Sequence, residues 1–107
     1  MTRQTVPAAL LADVKNYLNI TWNDEVTDEK IKGLIASAAA YLDGKLGGQP
    51  KYEEDGMPRT LLMEYCRYAR DSALDVFETN YQSLILSAQQ DRMVIPDAVE
   101  SALQTKE

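Results

Sequence analysis

The stretch that most constrains the fold is DEKIKGLIASAAAYLDGKLGG, residues 28–48. Its apolar residues recur at intervals of three and four, which is typical of an amphipathic helix. This apolar stripe consists of Ile31, Leu34, Ile35, Ala38, Tyr41, Leu42 and Leu46. Thr27 is a good N-cap residue, and the pair Gly47 and Gly48 is a strong signal for helix termination. The sequence therefore predicts a helix that begins after Thr27 and ends at the two glycines.

A second face of the same predicted helix carries only small side chains. This small-residue stripe consists of Gly33, Ser37, Ala40 and Gly44. Alanine and serine suit a solvated face, but each glycine costs about 1 kcal/mol relative to alanine in a helix interior. Two interpretations stay open: a solvated face, or the close approach of another helix from this chain or from a neighbouring copy. The second makes these four residues candidates for subunit packing.

Other segments of the chain are also helical in pattern. The apolar spacing predicts a first helix over residues 7–18 and a third helix, the longest, from Pro58 to about Asn80. A short fourth helix would carry Leu84, Ile85 and Ala88, and residues 96–107 offer a weak fifth. Only residues 92–95 suggest an extended segment. We therefore predict an all-α fold, a small bundle of three main helices plus one or two short C-terminal helices.

The length of 107 residues fits a single domain. We expect residues 1–92 to form the helical domain and residues 93–107 to form a tail that becomes ordered only on assembly. The single cysteine, Cys66, excludes an internal disulfide and is compatible with a reducing cytoplasm. Because we find no signal peptide and no long apolar run, we expect neither secretion nor membrane insertion.

The charge balance argues against tight DNA binding. The chain has 17 acidic and 11 basic residues, a formal net charge of −6. Proteins that bind duplex DNA tightly draw much of their affinity from Lys and Arg side chains that neutralise phosphates. This chain has no basic run for that purpose, and its acidic surface would repel a polyanion.

The residue types and motifs that are typical of catalytic or metal sites are either absent from the sequence or lack the required spacing. The chain has no histidine, the commonest general base and metal ligand, and no nucleotide-binding or nucleophile motif. Cys66 lies within an apolar stripe, which favours a buried core residue. The acidic runs lack the ligand spacing of a calcium loop. We therefore predict no catalytic residue, metal or cofactor, and an enzyme that uses the acids of residues 53–55 is the least favoured alternative.

The loop GGQPKYEEDGM, residues 47–57, is long for a connection between helices and is acidic. We predict that Tyr52, Glu53, Glu54 and Asp55 face a partner, and that Tyr81 does so from the helical region, because exposed tyrosines favour protein interfaces. A second link, NITWNDEVT, contains the only tryptophan. We expect Trp22 to fold back onto the core, with a partner surface as the alternative.

The order of these predicted helices and loops resembles that of the small head–tail connector proteins of long-tailed bacteriophages. These proteins are also described as head-completion or DNA-packaging proteins. Most of the likeness lies in AYLDGKLG of the second predicted helix and in YCRYARDSALDVFETNY of the third. It covers roughly residues 8–90 and consists of hydrophobic patterns without catalytic residues.

The resemblance implies a ring of copies that docks beneath the portal protein, meets a tail-completion protein and continues the DNA channel towards the tail. DNA would pass through without sequence-specific binding, which suits the negative charge. The chain would then reside at the head–tail junction of the virion, and in the bacterial cytoplasm during assembly. A small acidic helical regulator that binds a single protein partner is the alternative.

Overall fold

The computed structural model describes residues 1–47 and 50–92. These residues form a short 3-10 turn and four α-helices, and no strand occurs among them. The all-α prediction is therefore confirmed. The predicted fifth helix, the predicted tail and most of the extended segment at residues 92–95 lie outside the described residues. The elements in chain order are the 3-10 turn Arg3–Thr5, α1 Ala8–Tyr17, α2 Glu25–Leu46, α3 Met57–Arg70 and α4 Leu74–Arg92.

Helix α2 begins earlier than predicted because a different residue caps it. The Asp24 carboxylate accepts hydrogen bonds from the Thr27 backbone N–H at 3.1 Å and from the Thr27 hydroxyl at 2.9 Å. Asp24 is therefore the N-cap of α2, and Thr27 lies in the first turn. Aspartate is as good an N-cap residue as threonine, so the sequence offers both. The other end agrees with the prediction, since α2 ends at Leu46 and Gly47 follows with a positive φ of 74°.

The predicted long third helix is wrong, because the chain breaks between α3 and α4. Ser72 adopts a left-handed conformation with φ of 57°. The Ser72 N–H donates to the Ala69 carbonyl at 3.0 Å, and the Ala73 N–H donates to the Tyr68 carbonyl at 2.8 Å. These two bonds form a Schellman motif, which terminates a helix by satisfying its last carbonyls. The bundle consequently has four main helices, and its fourth is long.

Apolar side chains from all four helices form one core. Helix α2 is central, because it packs against α1, α3 and α4. One buried charge links the first two helices: Lys15 Nζ contacts Asp28 Oδ1 at 2.7 Å and Asn23 Oδ1 at 3.1 Å. The largest fully buried side chains of the core are Phe77, Leu10, Ile35, Leu42, Leu61, Leu62, Val14 and Cys66.

Two long-range hydrogen bonds define opposite ends of the bundle. At one end, the Arg70 guanidinium donates to the Leu18 carbonyl at 2.9 Å, so the last turn of α3 lies beside the last turn of α1. At the other end, the Gln89 amide donates to the Lys45 carbonyl at 2.8 Å, so α4 returns to the end of α2. The link of residues 18–24 lies at the first end.

Candidate interaction surfaces

The small-residue stripe of α2 has two different environments. Gly33 is half-buried, and a Cβ built there would lie 3.0 Å from the Arg3 guanidinium. The N-terminal turn of the same chain therefore packs at this position. Ser37, Ala40 and Gly44 are exposed, and a Cβ at Gly44 would meet nothing within 4 Å. Within the described residues, no helix of this chain covers the C-terminal half of the stripe.

Tyr52 does not face a partner, which corrects the prediction. It is 3% exposed, and its hydroxyl donates to Asp43 Oδ1 of α2 at 2.7 Å. The phenol finds its hydrogen-bond partner inside the fold, which is the usual arrangement for a buried tyrosine. The three acids that follow, Glu53, Glu54 and Asp55, are all exposed, and their facing a partner stays a prediction.

Tyr81 likewise directs its hydroxyl inward and joins a polar cluster between α3 and α4. Its hydroxyl donates to Glu64 Oε1 at 2.6 Å, and Arg67 Nη2 donates to the same oxygen at 2.6 Å. The Tyr81 ring also stacks on Phe77 with ring centroids 5.1 Å apart. Glu64 and Phe77 hold its hydroxyl and its ring, but the side chain is only partly buried, so a partner-facing role for Tyr81 stays a prediction.

The pKa values of this cluster follow from its contacts. Burial alone would raise the pKa of Glu64, but the hydrogen bonds from Arg67 and Tyr81 outweigh burial and lower it. The hydrogen bond to Glu64 and partial burial raise the pKa of Tyr81 to about 12. Burial raises the pKa of the Cys66 thiol to about 12. Cys66 is therefore protonated at neutral pH and is a poor nucleophile.

Trp22 lies on the surface, so the prediction that it folds back onto the core is wrong. Its side chain is 51% exposed, and its indole N–H donates to Thr27 Oγ1 at 3.4 Å. Val26, in the first turn of α2, is 73% exposed. The short link is occupied by the cap of α2 and by the end of α1, where Asn19 has a positive φ of 63°. This geometry leaves the indole at the rim of the bundle.

Trp22 borders a depression of about 440 Å³, which we call the Trp22 depression. It lies between the link of residues 18–24, the start of α2 and the end of α3. Its floor is mostly apolar, and its two charged residues are both basic. The residues that line it are Ile20, Trp22, Thr27, Lys30, Ile31, Leu34, Ala69 and Arg70.

A second groove of about 420 Å³ lies between α1 and the start of α3, and we call it the acidic groove. Arg59 crosses it and donates to Asp13 Oδ2 at 2.8 Å, while Asp55 Oδ1 lies 3.9 Å from Arg59 Nε. Tyr17 is 44% exposed at its edge. The residues that line it are Asp13, Asn16, Tyr17, Asp55, Gly56, Arg59, Thr60 and Met63.

Sequence reasoning missed most of these surface residues. Lys30 and Arg70 are single charges on predicted helices, which is the pattern of an ordinary solvated face. Asp13, Arg59 and Met63 give no signal either, because their proximity depends on the packing of α1 against α3. The one available signal was Trp22 itself, a large aromatic residue among turn-forming residues.

Two further features limit what the described residues can do. No group of three histidine, cysteine, aspartate or glutamate side chains is arranged there to hold a metal ion. None of the four helices, as far as the structure describes them, is long and apolar enough to span a membrane.

Comparison of the chain with protein-family models, curated proteins and solved structures gives no match. Its function must therefore be inferred from its own residues and from the resemblance of its sequence pattern.

Proposed function

We propose that this chain is a structural subunit of a bacteriophage head–tail connector ring that docks beneath the portal protein and continues the DNA channel towards the tail. The sequence resemblance over residues 8–90 suggests this role. The all-α bundle is compatible with it. Copies of the chain, the portal protein and a tail-completion protein are the proposed partners.

The observation that carries the proposal is the exposure of Trp22 and Val26 at one end of the bundle. A tryptophan that is 51% exposed beside a valine that is 73% exposed contributes little to the core of a lone subunit. Aromatic residues are enriched at protein interfaces, and tryptophan is a frequent hot-spot residue. This end of the bundle is therefore suited to bind another protein.

A ring also needs a second surface on each subunit. Head-to-tail contacts join two different faces, and they close into a ring when the rotation between subunits is suitable. The described structure provides a second surface in the acidic groove, away from Trp22, and a third in the open half of the small-residue stripe. The geometry thus supports an assembling subunit better than an isolated domain.

The net negative charge of the chain is compatible with a channel through which DNA passes. A formal net charge of −6 disfavours adhesion of DNA that must slide past the ring during packaging and ejection. Sequence-specific contacts would hinder that movement.

Electron microscopy of the full chain mixed with the portal protein of the same phage tests the proposal. We expect added ring density beneath the portal with the native chain, and reduced density with Trp22→Ala. Ser87→Ala, at an exposed position of α4, is the control and should leave the added ring intact. Portal complexes that never acquire density from the native chain would refute the proposed role.

The alternative is a small acidic regulator with one protein partner, and the exposed Trp22 beside the Trp22 depression supports it, because a one-to-one complex needs only one binding surface. Affinity purification of the tagged chain from infected cells separates the two functions. Recovery of portal or tail proteins supports the connector, whereas stoichiometric recovery of one host enzyme supports the regulator.

A further inference from the structure

The Trp22 depression contains two positive charges with no acidic partner among the described residues. Lys30 forms no ion pair there, and Arg70 donates to a carbonyl, that of Leu18. Two acids at the start of α2 have other partners. Asp28 pairs with Lys15, and the carboxylate of Asp24 caps α2.

Glu29, the chain neighbour of Lys30, pairs instead with Lys32 at 3.3 Å. The depression therefore combines an apolar floor, a half-exposed indole and two cations available to an outside carboxylate. Such a surface fits an acidic protein segment with apolar groups beside its charges.

The acidic groove has the opposite character. Asp13 and Asp55 flank it, and the exposed residues Glu53 and Glu54 directly precede Asp55 in the loop. Arg59 donates to Asp13 but, as a single cation, does not balance the acids around it. Tyr17 adds exposed apolar surface at the edge, whereas Met63 is only 6% exposed. The groove therefore offers one aromatic side chain beside its charges.

The two surfaces lie towards opposite ends of helix α3. Arg59 and Met63 belong to the groove, and Arg70 belongs to the depression. These positions are four and seven residues apart, so they lie on one stripe of the helix. Arg59 and Arg70 are separated by about 17 Å at 1.5 Å per residue. A single copy cannot place its own depression against its own groove, but two copies can.

We propose that the Trp22 depression of one copy binds the acidic groove of a second copy. Trp22 enters the groove beside Tyr17, while Lys30 approaches Asp55 and Arg70 approaches Asp13. The inference rests on the proposed function and deepens it, because it assigns two different surfaces that a head-to-tail contact can join. The indole supplies buried area, and the charges fix the orientation of the subunits.

A charge exchange between two variants of the full chain tests this contact. Lys30→Glu reverses a charge of the depression, and Asp55→Lys reverses a charge of the groove. In a mixture, the reversed charge at position 30 of the first variant can pair with the reversed charge at position 55 of the second, and the remaining two surfaces are native. Lys45→Glu is the matched control on α2, because Lys45 is exposed and lines neither surface. Circular dichroism verifies that every variant is folded.

Sedimentation velocity over a range of concentrations measures the association, and the emission of the only tryptophan reports burial of Trp22. We expect the native chain to associate with a blue shift of emission. Each charge variant alone should weaken association by about tenfold, a change of about 1.4 kcal/mol, and an equimolar mixture should restore it. Lys45→Glu should change the association less than Lys30→Glu.

Three results would overturn the inference. They are a native chain that stays monomeric with unchanged Trp22 emission, a mixture that fails to restore association, and equal weakening by Lys45→Glu. Electron microscopy with the portal distinguishes this failure from failure of the proposed function. If Lys30→Glu and Asp55→Lys each still form the ring on the portal, the connector role stands and the contact is wrong. If the native chain associates but is never recruited, the contact stands and the connector role is wrong.

Discussion

The α3–α4 interface and the Trp22 loop, residues 18–24, treat their aromatic side chains in opposite ways. At the interface, Phe77 is fully buried and contacts the rings of Tyr65 at 5.5 Å and Tyr81 at 5.1 Å. The polar groups beside these rings also have partners, because Glu64 accepts two hydrogen bonds of 2.6 Å. In the loop, by contrast, Trp22 leaves half of its surface in solvent.

This difference separates residues that stabilise the fold from residues that are available to a partner. Buried aromatic rings contribute their full transfer free energy to stability, together with favourable edge and stacking contacts. An exposed ring contributes much less to the fold and retains apolar area that another protein can cover. The contrast predicts that substitutions at the interface will change stability, whereas substitutions around the loop will change association.

The largest effect should come from Phe77→Ala. Removing a fully buried ring eliminates its contacts with four tyrosines and leaves a cavity, so we expect a loss of about 3–5 kcal/mol in the free energy of unfolding. Urea denaturation followed by circular dichroism measures this change. Leu86→Ala, on the exposed side of α4, is the matched control and should cost much less. Similar losses for both variants would contradict the burial difference.

Glu64→Gln should have the next largest effect. The substitution keeps the shape of the side chain but removes the charge that accepts hydrogen bonds from Arg67 and Tyr81. Hydrogen bonds to a charged group are worth about 1.5–3 kcal/mol, and we expect a loss in that range. Gln82→Glu, at an exposed position of α4, is a control for a change of charge near the interface.

The same residue predicts a dependence of stability on pH. The pKa of Glu64 in the folded protein is below its ordinary value of 4.5, so folding favours the ionised form. Its contribution is complete above the ordinary pKa and is lost as pH falls from about 4.5 through the lower folded value. The difference in unfolding free energy between the native chain and Glu64→Gln should therefore shrink on acidification. A constant difference down to pH 3 would show that the charge of Glu64 is not responsible.

Much of the bundle could be predicted from periodicity, because local apolar spacing records which face of a helix is buried. Ile31, Ile35 and Leu42 of the predicted stripe are all buried. The break between α3 and α4 could not be predicted, since neither glycine nor proline occurs at residues 70–74. Ser72 accepts a left-handed conformation there because the two helices pack against each other, which is a tertiary effect.

The positions of the surface residues were still harder to predict. Tyr52 and Trp22 were assigned to the surface and the core, respectively, and the structure reverses both. Residue type alone does not determine the burial of an aromatic side chain in a loop. Its burial depends on where the loop ends are held, here by Asp24 at the start of α2 and by Asp43 near its end. The sequence pattern does not show either of these two contacts.

A smaller effect of opposite sign should follow from glycine at the two left-handed helix ends. Ser72→Gly should stabilise the α3–α4 turn by up to about 1 kcal/mol, because serine pays a steric cost at a φ of 57° that glycine avoids. Asn19→Gly, within the Trp22 loop, should gain less, because asparagine tolerates this conformation better. Thermal unfolding of both variants measures the gains. A larger gain at Asn19 than at Ser72 would contradict the assignment of greater backbone strain to the α3–α4 turn.

The smallest effect on stability should come from Val26→Thr in the first turn of α2. Threonine has nearly the same shape as valine, and at 73% exposure the side chain buries little area in the lone subunit. We therefore expect a change within about 0.5 kcal/mol in urea denaturation. If this end of the bundle binds another protein, the same polar substitution should weaken that binding, because it places a hydroxyl in a surface that becomes buried. An unchanged unfolding free energy together with weaker association would therefore separate the two roles at a single side chain. A loss of stability comparable to that of Phe77→Ala would instead mean that Val26 supports the fold and that the contrast between the two regions is mistaken.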